Sequence, residues 1–313
     1  MWGGGLRGWR AIGSVGGMAR LTMLRKMIFD GRGRPPVPAT RPEPQTWSDG
    51  EVTGSCLGHS TVLMNFRGVR VLTDPVFSQR VGPGIAPLVL GPKRYVQPAL
   101  GPRDFAAPDV IVLSHAHFDH FDAASLRAFS RDTVVVTARD TGDLLRCRRF
   151  RNIHELDWGQ AVTLTVRGRA LTVTAIEVAH WGARMMRDDH RGYNGYVLER
   201  EGVAVCFAGD TAYTPAFARL REERAGRGPI DLMLMPIGAY DPWIHAHCSP
   251  EQAVSMANAA GARYFVPIHH ETFRLSAEPM GEPAARLRAA LASEPERLLA
   301  VSVGETFRVP VRR

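Results

Sequence analysis

The chain of 313 residues has no long uninterrupted hydrophobic run, few aromatic residues and few cysteines. No segment approaches the ~18 consecutive apolar residues that a membrane-spanning helix needs, which argues against an integral membrane protein. The four cysteines are scattered without a C-x-x-C pair, which argues against a disulfide scaffold and against a structural thiolate zinc site. With 45% hydrophobic and 22% charged residues, the composition is that of a folded globular protein.

Positive charge is concentrated near the start of the chain. Lys and Arg number 39 against 31 Asp and Glu, so the net charge is +8. Residues 1–42 hold eight basic residues and one acidic residue, Asp30, which gives this segment +7 and leaves +1 for the rest. A body that is close to neutral argues against nucleic acid as a partner, because nucleic-acid recognition uses a basic surface.

Residues 1–44 are rich in Gly, Pro and Arg, and the repeated prolines at their end prevent regular structure. We therefore predict a flexible basic extension over residues 1–44 and one folded domain over residues 45–313. The start of the extension is too weakly apolar for a signal peptide, so we expect a cytoplasmic protein. The alternative for the extension is a basic amphipathic element that gives peripheral membrane contact, with Trp2, Trp9, Leu24, Ile28 and Phe29 as its apolar residues.

The rest of the chain mixes short β-type runs with helical segments. Strands are predicted at 51–57, 61–66, 69–73, 110–113, 133–137, 162–166, 171–178, 195–199, 203–208, 231–236, 264–268 and 298–303. Helices are predicted at 122–129, 141–150, 215–224, 250–260 and 283–293. Each half is rich in strands first and contains helices later, which predicts an α/β fold with two packed sheets and helices outside them.

Four potential metal ligands follow the predicted buried strand at 110–113, namely His115, His117, Asp119 and His120. Because alternate residues of an extended loop project to the same side, His115 and His117 can reach one ion at ~2.0 to 2.1 Å. Asp119 and His120 lie beyond them and can serve a second ion. Nitrogen and oxygen ligands without thiolate favour zinc, with iron or manganese as alternatives.

The pattern His-x-His-x-Asp-His after a hydrophobic strand resembles the metallo-β-lactamase superfamily. This resemblance implies an αββα sandwich of two mixed sheets flanked by helices, and three later ligands that each follow a strand. The implied first ion has the ligands His115, His117 and His180, the second has Asp119, His120 and His269, and Asp210 bridges the two ions. His270 is the competing final ligand, but adjacent strand residues point oppositely, and His269 is preferred.

Six further stretches resemble the N-acylphosphatidylethanolamine-hydrolysing phospholipase D family and its bacterial relatives. They lie at residues 57–61, 72–77, 180–184, 209–213, 236–242 and 247–253. The resemblance runs from about residue 45 to the C-terminus and implies Asp119, Asp210 and His247 as catalytic residues. His247 aligns with a histidine at the active-site mouth of that family, where it orients substrate or protonates the leaving group. The alternative is that His247 is an exposed loop residue, or a residue next to the helix N-cap, just before Ser249 and Pro250.

Two divalent ions bridged by Asp210 and a water molecule lower the pKa of that water and stabilise developing oxyanion charge, so hydrolysis is the expected reaction. The sequence contains no serine or cysteine nucleophile motif that competes with this chemistry. We expect a phosphodiesterase acting on a lipid-like or other small phosphodiester. A lactonase or other ester hydrolase is the alternative, because the same hydroxide attacks carbonyl groups. A non-catalytic metal-binding, membrane-associated protein is a third reading, against which the complete ligand set argues.

Overall fold

The computed structural model describes residues 33–85, 88–185 and 188–310. Its strands are β1 (Val52–Gly58), β2 (Thr61–Phe66), β3 (Val69–Thr73), β4 (Gly84–Ile85), β5 (Leu88–Val89), β6 (Val110–Leu113), β7 (Val134–Ala138), β8 (Ile153–Leu156), β9 (Ala161–Val166), β10 (Arg169–Ile176), β11 (Gly195–Arg200), β12 (Val203–Phe207), β13 (Leu232–Pro236), β14 (Tyr264–Ile268) and β15 (Thr306–Arg308). Its α-helices are α1 (Ala123–Leu126), α2 (Gly142–Arg146), α3 (Ala216–Glu223), α4 (Pro250–Ala259) and α5 (Glu282–Ala290). Short 3-10 turns lie at Pro44–Thr46 and Pro295–Arg297.

Two mixed sheets contain all of these strands except the small β4–β5 ribbon. The first sheet has the order β15-β1-β2-β3-β6-β7-β8, and the second has the order β14-β13-β12-β11-β10-β9. The pairs from β15 to β3 are antiparallel, whereas those from β3 to β8 are parallel. In the second sheet, β14, β13 and β12 are parallel and the remaining pairs are antiparallel.

The core has three apolar layers, and the central strands contribute to two of them. In β6, Val110 and Val112 pack between the sheets, whereas Ile111 and Leu113 pack with the residues of α1 and α2. In β13, Leu232 and Leu234 face the other sheet, while the residues between and after them face α3, α4 and α5. Strands buried on both faces explain the continuous apolar runs in the sequence. The predicted αββα sandwich of two mixed sheets is therefore confirmed.

One strand prediction is wrong, and the two edge strands β15 and β8 are absent from the predicted strands. The predicted strand at 298–303 makes only a single bridge, from Leu298 to Phe265, and the edge strand is instead β15, paired with β1. The backbone N–H groups of Val301 and Ser302 donate to the Glu305 carboxylate, which forms a turn instead of a ladder. Strand β8 was not predicted, because its sequence alternates weakly and includes charged residues in a half-buried position.

Residues 33–44, the described part of the predicted extension, lie against the folded body. Gln97 N donates to Pro36 O at 2.9 Å, and Gln97 Nε2 donates to Pro35 O at 2.8 Å. Thr40 Oγ1 donates to Val303 O at 3.4 Å. The apolar residues predicted to contact a membrane lie outside the described residues. Within the described ranges, no helix combines the length and hydrophobicity needed to cross a membrane.

Candidate metal centre

The predicted ligands meet at one edge of the sandwich, where four loops begin. The loop after β6 carries His115, His117, Asp119 and His120, and the loops after β10, β12 and β14 carry His180, Asp210 and His269 in turn. These four strands all run toward the same edge, and that edge is where loops of α/β sheets place ligand-binding groups. The fold therefore brings all seven predicted ligands into one buried cluster.

One group of ligand atoms contains three histidines. His115 Nε2 lies 2.8 Å from His117 Nδ1, and His180 Nε2 lies 3.3 Å from that same Nδ1. Burial lowers the pKa of His117 to about 3 and that of His180 to about 4, so both rings are neutral at pH 7. His180 Nδ1 donates to Ala246 O at 2.8 Å, which leaves its Nε2 with a free lone pair. Three neutral imidazole nitrogens so arranged suit one transition-metal ion.

The second group contains Asp119, His120 and His269, with Asp210 beside it. Asp210 Oδ2 lies 3.1 Å from His120 Nε2 and 3.1 Å from His269 Nε2. Asp119 Oδ2 lies 3.7 Å and 3.5 Å from the same two nitrogens. Asp210 Oδ2 also lies 3.7 Å from His180 Nε2, in the first group. Asp210 thus contacts both groups, which is the place expected of a shared ligand.

Several buried polar atoms of this cluster have no hydrogen-bond partner among the described residues. They include His120 Nε2, both ring nitrogens of His269 and Asp210 Oδ1. Burial alone would lower the pKa of His269, but the carboxylates of Asp210 and Asp119 outweigh burial and raise that pKa to about 9. Leaving such atoms unsatisfied is costly, and a divalent cation that displaces the proton would satisfy them. The residues therefore fit a metal centre.

Asp74 supports this centre, although it is not among the predicted site residues. Its Oδ2 lies 2.6 Å from His120 Nδ1 and accepts a 2.6 Å hydrogen bond from Ser114 Oγ, while Oδ1 accepts from Ser114 N at 2.8 Å. A carboxylate on Nδ1 directs His120 Nε2 toward Asp210. The available signal was the position of Asp74 directly after β3, the parallel neighbour of β6.

His59 is the second residue of the centre that was not predicted as a site residue. It lies in the turn between β1 and β2, is buried, and has its Nε2 3.0 Å from Asp119 Oδ2. Four atoms from His59, Asp119, His120 and His269 lie within 4.8 Å of one another. Residues 57–61, which include His59, resemble the phospholipase D family, but no local sequence pattern connects His59 with the ligand loops.

His247 and His270 differ in their relation to the cluster. His247 is buried, with Nδ1 3.8 Å from Asp210 Oδ2 and its ring centroid 5.1 Å from those of His180 and His269. His270 is also buried, but its Nδ1 is 3.8 Å from the Glu271 carboxylate, and His269 rather than His270 joins the ligand atoms. Ser249, two residues after His247, caps helix α4.

Comparisons with known proteins agree with this geometry. Residues 69–270 match the family described as the Beta-lactamase superfamily domain. An uncharacterized protein of Mycobacterium tuberculosis is 34% identical over 290 residues, which cover 89% of this chain and 74% of the relative. The N-acyl-phosphatidylethanolamine-hydrolyzing phospholipase D 1 of Caenorhabditis elegans is 30% identical over 247 residues, which cover 75% of this chain and 66% of the relative. The crystal structure of isothiocyanate hydrolase from Delia radicum gut bacteria matches with a TM-score of 0.63 and 19% identity, over 82% of this chain and 99% of that one.

The fold and the clustered His and Asp ligands define a metal-dependent hydrolase of the metallo-β-lactamase fold. The family match spans more than half of the chain, so the chain belongs to the beta-lactamase superfamily. Its similarity to the phospholipase D of Caenorhabditis elegans confirms the resemblance that the sequence motifs indicated.

Proposed function

We propose that this protein is a binuclear phosphodiesterase of the phospholipase D type, acting on N-acylphosphatidylethanolamine-like or other phosphodiesters. The observation that carries the proposal is the position of Asp210. Its Oδ2 lies within 3.7 Å of histidine nitrogens from both ligand groups. One carboxylate between two groups of ligands suits a pair of ions that share it. Two divalent ions, zinc with iron or manganese as alternatives, supply Lewis acidity and a water molecule of lowered pKa when bound.

The ligands divide between the two ions as the two groups of atoms suggest. His115, His117 and His180 would hold the first ion, and Asp119, His120 and His269 would hold the second. Ser114 Oγ lies 2.9 Å from His115 Nδ1, and Asp74 contacts both Ser114 and His120, so these two residues keep His115 and His120 in place. Such outer partners preserve the tautomer and the orientation of the ligating rings.

His247 is the group of the chain best placed to act on substrate. Burial lowers the pKa of His247 well below the ordinary value, so the free ring is neutral. A neutral ring orients a phosphoryl or leaving oxygen by donating an N–H bond. An anionic phosphodiester beside the ring opposes the effect of burial and favours the protonated form, which then delivers a proton to the leaving oxygen.

Exposed apolar side chains on the loops that carry the ligands and His247 favour a substrate with an apolar part. Trp181 is 43% exposed, and its ring centroid lies 4.6 Å from that of His117 and 4.3 Å from that of His180. Tyr213 follows Asp210 by three residues, and Ile244 precedes His247 by three; both are exposed. Apolar surface next to a polar centre suits an acyl chain or another hydrophobic group. The Caenorhabditis elegans relative supports a phosphodiester headgroup.

A substrate panel on the metal-loaded full chain tests the proposal. The panel contains bis(p-nitrophenyl) phosphate, an N-acylphosphatidylethanolamine in mixed micelles, and a set of lactones and carboxylic esters. We expect turnover of the phosphodiesters, about two ions per chain by elemental analysis, and loss of turnover in Asp210→Asn but not in His270→Asn. Turnover of lactones or esters without turnover of phosphodiesters would reject the phosphodiesterase and favour the alternative, a lactonase or other ester hydrolase. An occupancy that stays near one ion with excess metal would reject the binuclear centre.

A further inference from the structure

His59 connects two ligand-bearing segments through its side chain. Its Nε2 lies 3.0 Å from Asp119 Oδ2, and because an ionised carboxylate only accepts hydrogen bonds, His59 is the donor. The same ring packs against the ring of His269, with centroids 4.1 Å apart, and edge-on against Phe273 at 5.3 Å. His59 thus contacts two predicted ligands of the second ion that come from different sheets.

The backbone of His59 also contacts the segment that carries His269. His269 N donates to His59 O at 3.0 Å, and His59 N donates to Thr272 Oγ1 at 2.6 Å. His59 has a φ of +57°, a left-handed conformation that residues other than glycine rarely adopt. Such a conformation persists where surrounding contacts hold it, and it is frequent at functional sites.

Packing alone does not explain a histidine here. An apolar side chain would fill the same space without the cost of burying polar nitrogens. The Nδ1 atom of His59 has no hydrogen-bond partner among the described residues, so the bond to Asp119 is the one that compensates the burial of this ring.

We propose that His59 is a positioning residue of the second metal site, whose Nε2–H orients the Asp119 carboxylate while its backbone carbonyl holds His269. This inference rests on the proposed binuclear function. It predicts that His59 controls the affinity of the second ion and leaves the first ion, held by the three-histidine group, unaffected.

Three variants separate positioning from packing. His59→Asn keeps a residue that tolerates the left-handed backbone but moves its N–H out of reach of Asp119. His59→Gln carries an N–H at a reach close to that of Nε2. His270→Asn is the matched control, because His270 is a buried histidine adjacent to His269 that lies outside the ligand atoms. The two affinities for Zn²⁺ are measured by competition with a chromophoric chelator, and thermal unfolding of the metal-free proteins is recorded in parallel.

We expect His59→Asn to lower the affinity for the second ion by roughly 10- to 100-fold, as loss of a supporting partner typically does. The first ion should keep its affinity within about threefold, His59→Gln should recover most of the loss, and His270→Asn should match the wild type at both sites. Equal weakening of both ions with a lower melting temperature would assign His59 a purely structural role. Unchanged affinities, or a glutamine variant as weak as the asparagine variant, would also overturn the inference.

A measurement on the unmodified chain covers the case in which a variant does not fold. Long-range ¹H–¹⁵N spectra of the protein without added metal should show His59 as the Nε2–H tautomer, and the Nδ1–H tautomer would overturn the proposal. The two proposals fail in different ways. A wild-type chain that takes up one ion rejects the binuclear function together with this inference, whereas two ions in the wild type with no effect in His59→Asn reject the inference alone.

Discussion

Asp210 and His247 are both buried next to the candidate ions, but their contacts differ. The Asp210 carboxylate lies 3.1 Å from histidines of the second group and 3.7 Å from the first. The Nδ1 atom of His247 lies 3.8 Å from Asp210 Oδ2, and its ring centroid lies 5.1 Å from those of His180 and His269. In the proposed binuclear centre, loss of Asp210 would disturb both ion positions, whereas loss of His247 would remove at most one oriented hydrogen bond or proton transfer.

We expect Asp210→Asn to lower kcat/KM by at least about 10³-fold, and His247→Ala to lower it by roughly 10²-fold. The effect of His247→Ala should be smaller with bis(p-nitrophenyl) phosphate than with a diester of an alkyl alcohol, because p-nitrophenolate leaves without protonation. Steady-state kinetics with both substrates, together with the metal content of each variant, provide the test. Equal losses in the two variants would show that this ranking is wrong.

Among single residues, the sequence could predict the metal ligands but not Asp74 and His59, which support them. The seven ligands follow strands in an order that resembles a known superfamily, and the structure places them together. Asp74 and His59 contact their partners across 46 and 60 residues of chain, respectively. Asp74 directly follows a strand and His59 lies in a turn between two strands, but neither position shows which ligand the side chain contacts. Only the packing of the loops shows that role.

At the level of single elements, helix α4 begins at Pro250, three residues after His247. Ser249 Oγ accepts from Gln252 N at 3.3 Å, and Gln252 Oε1 accepts from Ser249 N at 3.0 Å, which forms a capping box. The helix packs buried residues, among them Ala253 and Met256, against the second sheet. The cap therefore fixes both the start of a core helix and the end of the loop that carries His247.

We expect Ser249→Ala to lower the free energy of unfolding by about 1 kcal/mol, because the backbone N–H of Gln252 loses its acceptor and the Glu251 carboxylate loses a donor. Ser255→Ala provides the control, since it makes the same substitution at an exposed position inside α4, where alanine raises helix propensity. Urea unfolding of the metal-free proteins measures both. A loss of stability in Ser255→Ala equal to that in Ser249→Ala would contradict the role of the cap.

Helices α4 and α5 are joined by a two-pronged ion pair. Arg286 Nη2 donates to Glu251 Oε2 at 2.7 Å, and Arg286 Nε donates to Glu251 Oε1 at 2.9 Å. These bonds to Arg286 lower the pKa of Glu251 from 4.5 to about 2. A depressed carboxyl pKa stabilises the fold above pH 4.5, and this contribution is lost as the pH falls toward 2.

Glu251→Gln should therefore be less stable than the wild type at pH 6 and equal to it near pH 2. Both side chains are more than one-third exposed, so we expect a difference below about 1 kcal/mol. Urea midpoints measured across this pH range provide the test. A difference that persists at pH 2 would assign the effect to helix propensity instead of charge.

Central strands with continuous apolar sequences were predictable, whereas strands at the sheet edges were not. Strand β6 and strand β13 are continuous apolar runs, and both lie where the sequence placed them. The hydrophobic segment at 298–303 has a strand-like composition, but Glu305 captures its N–H groups and β15 completes the sheet. Competition between a side-chain acceptor and a strand partner depends on tertiary position, which composition does not encode.

For the whole molecule, the charge distribution suggests a division of roles between the start of the chain and the body. Residues 1–32 hold six basic residues and Asp30, a net charge of +5 by six minus one. Residues from Gly33 onward contact the body through Pro35, Pro36 and Thr40. We propose that residues 1–32 provide peripheral contact with an anionic membrane surface, and the alternative is that this segment has no membrane role.

A chain that starts at Gly33 should bind anionic vesicles more weakly than the full chain and hydrolyse a small soluble diester equally well. Each basic residue near an anionic surface adds roughly 1 kcal/mol of attraction, and added salt weakens it. Co-sedimentation with anionic and with neutral vesicles, at low and physiological salt, measures the difference. Equal binding of the two chains, or no binding by either, would remove the membrane role from this segment.

The ligand groups also connect the two sheets of the sandwich. His115, His117, Asp119 and His120 extend from the first sheet, and His180, Asp210 and His269 extend from the second. Ions bound there cross-link the halves, so each tenfold rise in free metal above the dissociation constant adds about 1.4 kcal/mol per site to the free energy of unfolding. In a cell starved of the metal, the protein would lose activity and would also unfold more often, which exposes it to proteolysis. The amount of this protein would therefore follow metal supply.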